Sequence, residues 1–568
     1  MRRWLLFFLS SWCVLNGAGL PWGLLAAAES AAYVGAASCR ECHPAQFELW
    51  TKSPHALAER PLRPELDQRA FEPSQTIKHA SQNSVARLHN GQCELVTLGF
   101  ESNAASYRVE RVIGCSPLRQ FLTAAPGGRW QTHELAYAPG TKDWFDVYGD
   151  EDRRPGEWGH WTGGGMNWNA RCAGCHNTHA RKNYDSATDA YKTTVAAMGV
   201  NCEACHGPLG KHVEWRRLNP NSKAREPFPP LVQRGKTLDT CAACHSRCED
   251  LMGEFQPGDS FYDHYSLEIL DEAERWYSDG QVKDEDYEFA SFLGSGMFQS
   301  GVHCRDCHRS DSGTGNSLCL RCHLATNAAF AGAPQIQPVE HSHHQLGGKG
   351  GECVACHLPA TVYMQRHSRH DHGFGSPDPL LTKEQGIPNA CNRCHKDKSA
   401  DWSLEYANKW YGVKMQSHAR ERSRLVAGAL SGQEAAKGPV MDMLADQREP
   451  AYWRAVAANL LWRWAGETKV EAALMRAMKE EHPLVREKAV LAFESVGGES
   501  SARRRTALEE ALKDSARCVR VAAAWVLKSS VDVRGEAGRD LLRSLEFNLD
   551  QPDKGSTHNY THFPRVFA

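Results

Sequence analysis

The chain has 568 residues, a formal net charge of −2, an isoelectric point near 7.0 and a mean hydropathy of −0.54. This length allows two or three domains, the hydropathy indicates a soluble mature chain, and the near-neutral charge gives no support to nucleic-acid binding. Twenty-one cysteines and 27 histidines are the departure from ordinary composition.

The first 28 residues are typical of a secretory signal peptide. Arg2 and Arg3 precede an apolar run, and three alanines before Glu29 offer a small-residue cleavage site. The alternative is an uncleaved membrane anchor, but Pro21 and several glycines interrupt the run. No other stretch is apolar enough to span a bilayer. We therefore expect a periplasmic or otherwise exported protein that does not span the membrane after cleavage.

The pattern Cys-x-x-Cys-His occurs eight times between residues 39 and 395. Its cysteines are Cys39, Cys42, Cys172, Cys175, Cys202, Cys205, Cys241, Cys244, Cys304, Cys307, Cys319, Cys322, Cys353, Cys356, Cys391 and Cys394. Its histidines are His43, His176, His206, His245, His308, His323, His357 and His395.

This spacing suits covalent haem better than the other uses of paired cysteines. Two thiols on one helical turn can each form a thioether with a haem vinyl group, and the following histidine then lies under the iron. Zinc needs two facing pairs but no histidine after each, and a redox dithiol needs one pair on a βαβ unit. The pattern therefore predicts eight covalent haem c groups rather than zinc sites, a redox dithiol or a disulfide framework.

The remaining 19 histidines could give each iron a second axial ligand. The candidates with the best local context are His55, His79, His160, His212, His264, His343, His344 and His372. The alternative for each is a surface or hydrogen-bonded histidine, which is also expected for His133, His418, His482, His558 and His562. Iron with two histidine ligands has no open position and suits electron transfer, whereas an open position permits catalysis.

The 133 residues between the first two motif starts carry a β pattern. Segments such as "SYRVERVIG" and "RWQTHELAYAP" are rich in β-branched and aromatic residues with partial alternation, which predicts a small antiparallel element at about 80–150. Cys93 and Cys115 lie within it, either as a disulfide or as two free thiols.

Between residues 172 and 400 the motifs are dense, so we expect porphyrins to form the core and short helices and loops to surround them. Residues 1–28 carry two arginines and no acid, so the mature chain has a net charge of −4. Eight ferric haems with two propionates each bring it to about −12. A basic patch is therefore expected on a redox partner.

After the last motif the chain becomes rich in alanine and leucine. Three segments align on Arg454, Arg486 and Arg520, which are 32 and 34 residues apart, and apolar residues recur at helical spacing. This periodicity indicates an α-solenoid, and the alternative is three unrelated amphipathic helices. Such a surface either docks a partner or shields the haem region.

Several segments resemble the multihaem c-type cytochrome family related to the tetrahaem cytochromes of nitrifying bacteria. They are "HWTGGGMNWNARCAGCH", "NCEACHGPLGKHV", "CVACHLPATVYM", "IPNACNRCHKDKSADW" and the doubled module "CRDCHRSDSGTGNSLCLRCH". The resemblance covers roughly residues 30–412. It implies periplasmic electron transfer and a following HEAT-like array, and it supports the predicted distal ligands other than His343. The fifth motif departs from the family because no histidine follows it closely, so His303 and Met297 are weak substitute ligands there.

The sequence predicts a mainly α fold with long loops. Its parts are a signal peptide (1–28), an octahaem cytochrome c domain with the β insertion (29–412), HEAT-like repeats (413–545) and an irregular tail (546–568). The main functional hypothesis is an exported cytochrome that relays electrons between an unknown donor and acceptor through mostly bis-histidine haems, with no catalytic residue assigned. One alternative is an oxidoreductase acting on a small nitrogen or sulfur compound at one open-site haem. Another is a scaffold whose repeats dock a redox partner.

Overall fold

The computed structural model describes residues 32–228, 237–271, 273–283, 285, 287–308, 315–324, 332–497 and 501–550. The predicted signal peptide and most of the predicted tail, including His558 and His562, lie outside the described residues. Within them, no helix combines the length and the apolar character that a membrane crossing requires.

The first part of the chain combines short helices with two antiparallel sheets. Its helices are α1 (Pro44–Thr51), α2 (Pro64–Asp67), α3 (Trp168–Arg171) and α4 (Ala173–His176). Its strands are β1 (Glu59–Pro61), β2 (Gln75–His79), β3 (Gln82–His89), β4 (Gln92–Leu98), β5 (Ala104–Arg108), β6 (Arg111–Ile113), β7 (Arg119–Ala125), β8 (Arg129–Ala138), β9 (Asp143–Asp146), β10 (Asn177–Thr178), β11 (Tyr184–Asp185), β12 (Ala190–Tyr191) and β13 (Ala197–Met198).

The two larger sheets have the strand orders β1-β6-β7-β8-β9 and β2-β3-β4-β5. Phe71, Leu95, Phe121 and Leu135 are among the buried side chains of their shared core. The sheets begin at Glu59, before the expected residue 80, because β1 pairs with β6 although its short sequence has no alternating pattern. Strand β8 is buried along most of its length, which explains why its polar–apolar alternation is only partial.

The two spare cysteines of this region do not form the predicted disulfide. Cys93 and Cys115 are both free thiols. Cys93 lies in β4 and is buried in the core beside Leu95, whereas Cys115 lies in the connection between β6 and β7. The alternative of two free thiols is the one that the structure shows.

The middle of the chain consists of short helices joined by long loops. The helices are α5 (Cys202–His206), α6 (Gly210–Leu218), α7 (Thr237–His245), α8 (Glu288–Leu293), α9 (Gly296–Gln299), α10 (Cys304–Cys307), α11 (Asn316–His323), α12 (Pro338–Ser342), α13 (Cys353–His357), α14 (Pro379–Gln385), α15 (Ala390–Cys394) and α16 (Ala400–Tyr411). Two hairpins accompany them, β14 (Cys248–Asp250) with β15 (Tyr265–Leu267), and β16 (Ala360–Tyr363) with β17 (His367–His370).

The last part is an array of helices packed in two layers. Its helices are α17 (His418–Leu430), α18 (Lys437–Ala445), α19 (Ala451–Leu460), α20 (Thr468–Ala477), α21 (Pro483–Leu491), α22 (Ala502–Ala511), α23 (Arg517–Val526) and α24 (Glu536–Phe547). Helices α19, α21, α23 and α24 pack in succession along one layer, while α18, α20 and α22 form the other. The predicted fold class, mainly α with a small antiparallel β part and a C-terminal α-solenoid, is confirmed.

The three aligned arginines connect successive units of this array. Arg454 pairs with Glu480 at 2.7 Å, Arg486 with Asp514 at 2.7 Å, and Arg520 with Asp540 at 2.8 Å. These guanidinium groups are largely buried, so the periodicity in the sequence marks a repeated ion pair rather than a surface charge.

The helical array shares a hydrophobic core with residues 242–293. Trp453 donates from its indole nitrogen to the carbonyl of Gly294 at 3.1 Å, and the backbone amide of Leu270 donates to the Tyr452 hydroxyl at 3.3 Å. At the far end, the Lys182 ammonium lies 2.7 Å from the Asp550 carboxylate. The array is therefore packed onto the motif-bearing part of the chain along its length.

Candidate haem-binding sites

Each Cys-x-x-Cys-His motif forms one tight helical turn. Seven of the eight lie on α4, α5, α7, α10, α11, α13 and α15, and the first follows a 3₁₀ turn. The histidine amide donates to the carbonyl of the first cysteine in the motif, for example from His308 to Cys304 at 2.8 Å and from His395 to Cys391 at 2.8 Å. The asparagine caps of α5 and α15 accept backbone N–H groups and begin those turns. Local sequence thus places two thiols and an imidazole on one turn.

Four of these motif histidines face a second histidine ring across a gap of similar width. The ring centroids are 6.1 Å apart for His245 and His55, 6.2 Å for His308 and His372, 6.0 Å for His357 and His341, and 6.2 Å for His395 and His344. Bonds between a metal and an imidazole nitrogen are about 2 Å long, so two rings on opposite sides of one metal have centroids about 6 Å apart. These four pairs fit the iron of a haem.

Hydrogen bonds to the Nδ1 atoms orient many of these rings. The Nδ1 atom of His357 bonds the Gly375 carbonyl at 3.0 Å, and that of His372 bonds the His370 carbonyl at 2.8 Å. The Nδ1 atom of His245 lies 3.2 Å from the Glu288 carboxylate. Partners at Nδ1 leave Nε2 to bind a metal, which is the usual arrangement around a ligating histidine.

The same orientation occurs at two motif histidines that face no second ring. His176 bonds the Ala58 carbonyl through Nδ1 at 3.0 Å, and His323 bonds the Pro334 carbonyl at 2.9 Å. Within the described parts of the chain, His43, His176, His206 and His323 have no histidine ring placed at the distance seen in the four pairs.

Three of the predicted distal ligands, His55, His344 and His372, are brought opposite a motif histidine. His372 faces His308 of the fifth motif. The sequence near that motif offers only His303 and Met297 as candidates for the second axial ligand. His341 is the residue that sequence reasoning missed: it lies in the last turn of α12, three positions before His344, within the same "HSHH" cluster. The three histidines of this cluster were the available signal, because they are enough to give ligands to more than one iron.

His79 and His160 lie in a buried group of the β region rather than beside a motif turn. His160 is 0% exposed, and its Nε2 atom lies 3.9 Å from Glu134, while the Nδ1 atom of His79 lies 3.5 Å from Asp146. Burial is the main cause that lowers the pKa of His160 to about 4 and raises the pKa of Glu134 to about 8. In the described residues neither ring faces a motif histidine, so their role as iron ligands stays a prediction.

The other predicted histidines have different surroundings. His264 is 8% exposed, and its Nε2 atom lies 3.2 Å from Asp259, so its role as an iron ligand also stays a prediction. His212 bonds Glu226 through Nδ1, and its charge contributes, after burial, to lowering the pKa of His206. His343 stacks on Trp410 with ring centroids 4.3 Å apart.

Contacts between motif turns connect all eight in one network. Cys39 of the first motif packs with Cys202 of the third, and α5 and α4 both contact α7, which carries the fourth motif. The thiols of Cys241 and Cys304 interact between the fourth and fifth motifs. Arg321 of the sixth motif donates to the Asp306 carbonyl of the fifth. Helix α13 contacts both α11 and α15, which joins the last three motifs.

Comparisons with known proteins agree with the motif chemistry. Residues 38–108 and 161–207 match a family model described as cytochrome c554 and c-prime, and residues 439–528 match one described as HEAT repeats. These matches confirm the predicted resemblance to multihaem c-type cytochromes with C-terminal HEAT-like repeats, and they support covalent haem c. No curated protein matches the chain.

Two solved structures are similar to this chain. One is described as the outer cell wall cytochrome OcwA, with 17% identity, a TM-score of 0.45, and coverage of 82% of this chain and 99% of that one. The other is an undecahaem cytochrome from the S-layer of Carboxydothermus ferrireducens, with 15% identity, a TM-score of 0.35, and coverage of 82% of this chain and 70% of that one.

Proposed function

We propose that this chain is an exported octahaem c-type cytochrome that relays electrons between redox partners, with several of its irons held by two histidines. The observation that carries the proposal is the set of four histidine pairs whose rings lie 6.0 to 6.2 Å apart. Haem, when bound, supplies a one-electron iron centre at each motif. The protein contributes the thiols, the axial imidazoles and their orientation.

The contacts between motif turns support a relay rather than isolated haems. The first motif turn contacts the third, and from the third to the eighth each turn contacts the next one along the chain. The second motif turn contacts the fourth. Neighbouring attachment turns bring their haems close together, and electron transfer requires such proximity. Paired histidines close both axial positions of an iron, which favours electron carriage over substrate chemistry.

Export and partner charge are parts of the same proposal. The sequence of residues 1–28 supports secretion, and covalent haem attachment outside the cytoplasm agrees with it. The holoprotein charge of about −12 favours a donor or acceptor with a basic docking surface.

One observation favours a second candidate function. Four motif histidines have no second histidine ring opposite them in the described residues, so their irons take another ligand or keep an open position. An open position would make the chain an oxidoreductase for a small nitrogen or sulfur compound.

Mass and spectra of the purified ferric protein test the proposal. We expect an intact mass that exceeds the polypeptide by eight haems, and electron paramagnetic resonance (EPR) signals of low-spin iron. A polypeptide-only mass with a blank pyridine haemochrome assay would refute it. A high-spin signal that shifts on adding nitrite, hydroxylamine or tetrathionate would support the second candidate.

A single substitution tests the histidine pairs. His372→Ala should convert the haem of the fifth motif from low-spin to high-spin, because His308 would be left as its only axial histidine. His418→Ala is the matched control, since the side chain of His418 is 70% exposed on the helical array. Unchanged spin states in His372→Ala would contradict the assignment of this pair.

A further inference from the structure

The distal histidines of two neighbouring haem sites come from one short segment. His341 faces His357 of the seventh motif, and His344 faces His395 of the eighth. Between them the backbone of His343 adopts a left-handed conformation, with φ of +57°. That conformation is uncommon for a residue other than glycine, so contacts around the segment must hold it.

Helix α16 supplies those contacts. Trp410 stacks on the His343 ring with centroids 4.3 Å apart and an interplanar angle of 16°. The Tyr411 hydroxyl donates to the His341 carbonyl at 2.8 Å. The Trp410 ring also meets the His344 ring edge-on, with centroids 6.5 Å apart.

The same helix reaches the other axial ligand of the eighth motif. Trp402 packs on His395 with ring centroids 5.0 Å apart. Tyr406 lies between the two tryptophans, 4.7 Å from Trp402 and 5.2 Å from Trp410. These three aromatic residues are four positions apart and therefore share one face of α16, which we call the aromatic ladder.

The ladder is long enough to contact both histidines of the eighth site. Trp402 and Trp410 are separated by about 12 Å along the helix, at 1.5 Å per residue. The His395 and His344 rings are 6.2 Å apart, and each packs against one end of the ladder. The adjoining side of α16 buries Ser403 and Ala407, whereas the three ladder residues are only partly buried.

We propose that the aromatic ladder is a positioning element for the haems of the seventh and eighth motifs. By holding His343, Trp410 sets His341 on one iron and His344 on the next, and Trp402 steadies His395. The ladder residues bind no iron themselves. The inference rests on the proposed function, because it assumes that these histidines are haem ligands.

The test compares two substitutions at Trp410 in the full holoprotein. Trp410→Ala should alter the EPR signals and reduction potentials of the two haems attached at the seventh and eighth motifs, which are two of the eight. Added imidazole should restore the low-spin signal, and Trp410→Phe should largely retain it, because a flat ring can still stack on His343. Haem content by pyridine haemochrome should stay at the wild-type level.

Trp462→Ala is the matched control, because Trp462 is a 37% exposed tryptophan on the helical array. Wild-type spectra in Trp410→Ala would overturn the inference, as would the same spectral change in Trp462→Ala or no recovery in Trp410→Phe. Failure of the proposed function is a separate result, since wild-type protein would then lack haem or low-spin iron altogether.

Discussion

The stretch that carries the fifth to eighth motifs and the helical array that follows are both made of helices, yet they differ in what fills their interior. In the described residues from 294 to 378, no apolar side chain is buried. In α19, α21 and α23, most side chains are buried, and together they form the main hydrophobic core. The first region therefore has no apolar side-chain core in its described residues between 294 and 378, whereas the second builds one from leucine, valine and alanine.

The difference in buried apolar side chains between the two regions has a large effect on their stability. A fully buried Val or Leu side chain contributes about 1.5–3 kcal/mol, which must offset the entropy lost when the chain is ordered. Helices α10, α11, α13 and α15 bury no side chain at all and are too short to be stable alone. Under the proposed function, porphyrin surfaces would supply the apolar contacts that these helices lack.

The largest expected effect is on protein made without covalent haem. Hydrogen exchange should then be fast in the motif helices α10, α11, α13 and α15, because they contain no buried side chain, while α19, α21 and α23 stay protected. Exchange measured by mass spectrometry on the haem-free and haem-loaded forms gives the comparison. Equal protection of 304–395 in both forms would show that this stretch has a core that does not depend on haem.

A smaller effect is expected from breaking one repeated ion pair of the array. Arg486→Ala leaves Asp514 without its partner at a site where the two side chains are 12% and 11% exposed, so a loss of about 3–5 kcal/mol is expected. Denaturant unfolding of the holoprotein measures it. Arg448→Ala is the control, because Arg448 is 92% exposed and its loss should leave the denaturation midpoint essentially unchanged.

Equal midpoints for Arg486→Ala and Arg448→Ala would mean that the repeated arginines do not join the units of the array. The contrast with the motif-bearing stretch would then rest on apolar burial alone.

The smallest effect concerns the sheets, which have their own core but also enclose titratable groups. Burial raises the pKa of Glu134 to about 8 from 4.5, so the folded state keeps a proton that the unfolded chain releases. The stability from this group is full at low pH and falls as the pH rises towards 8. Glu134→Gln should flatten that decline by up to about 1.4 kcal/mol per pH unit.

The comparison is made between pH 6.5 and 8, where the difference between wild type and Glu134→Gln reports on the Glu134 carboxyl group. Burial lowers the pKa of His160 to about 4 and that of His133 to about 3, so both are neutral in the folded state throughout this window. The protons that they bind in the unfolded state are the same in wild type and in Glu134→Gln, so their contribution cancels in the comparison. Denaturation midpoints across this window, for wild type and Glu134→Gln, provide the measurement. Parallel profiles would show that the Glu134 carboxyl group is already ionised in the folded protein.

Sequence alone predicts those features whose cause is local. Thiols and a histidine on one turn define an attachment site wherever the chain goes, and the spacing of Arg454, Arg486 and Arg520 reflects contacts between adjacent units. Distal ligands are different, because His55 meets a motif about 190 residues away along the chain. The residues next to His344 and His160 in the sequence do not reveal that His344 faces His395 of a motif whereas His160 lies beside Glu134 of β8.

The contact between Lys182 and Asp550 has a consequence for how this protein can be divided. Asp550 also accepts from the Tyr191 hydroxyl at 2.8 Å, so the end of the array is tied to the segment between the second and third motifs. Cutting the chain after residue 412 would expose the apolar residues of 242–293 that pack against the array. It would also remove the Asp550 carboxylate that bonds Lys182 and Tyr191. We therefore expect the motif-bearing part and the helical array to fold only when both are present in one chain.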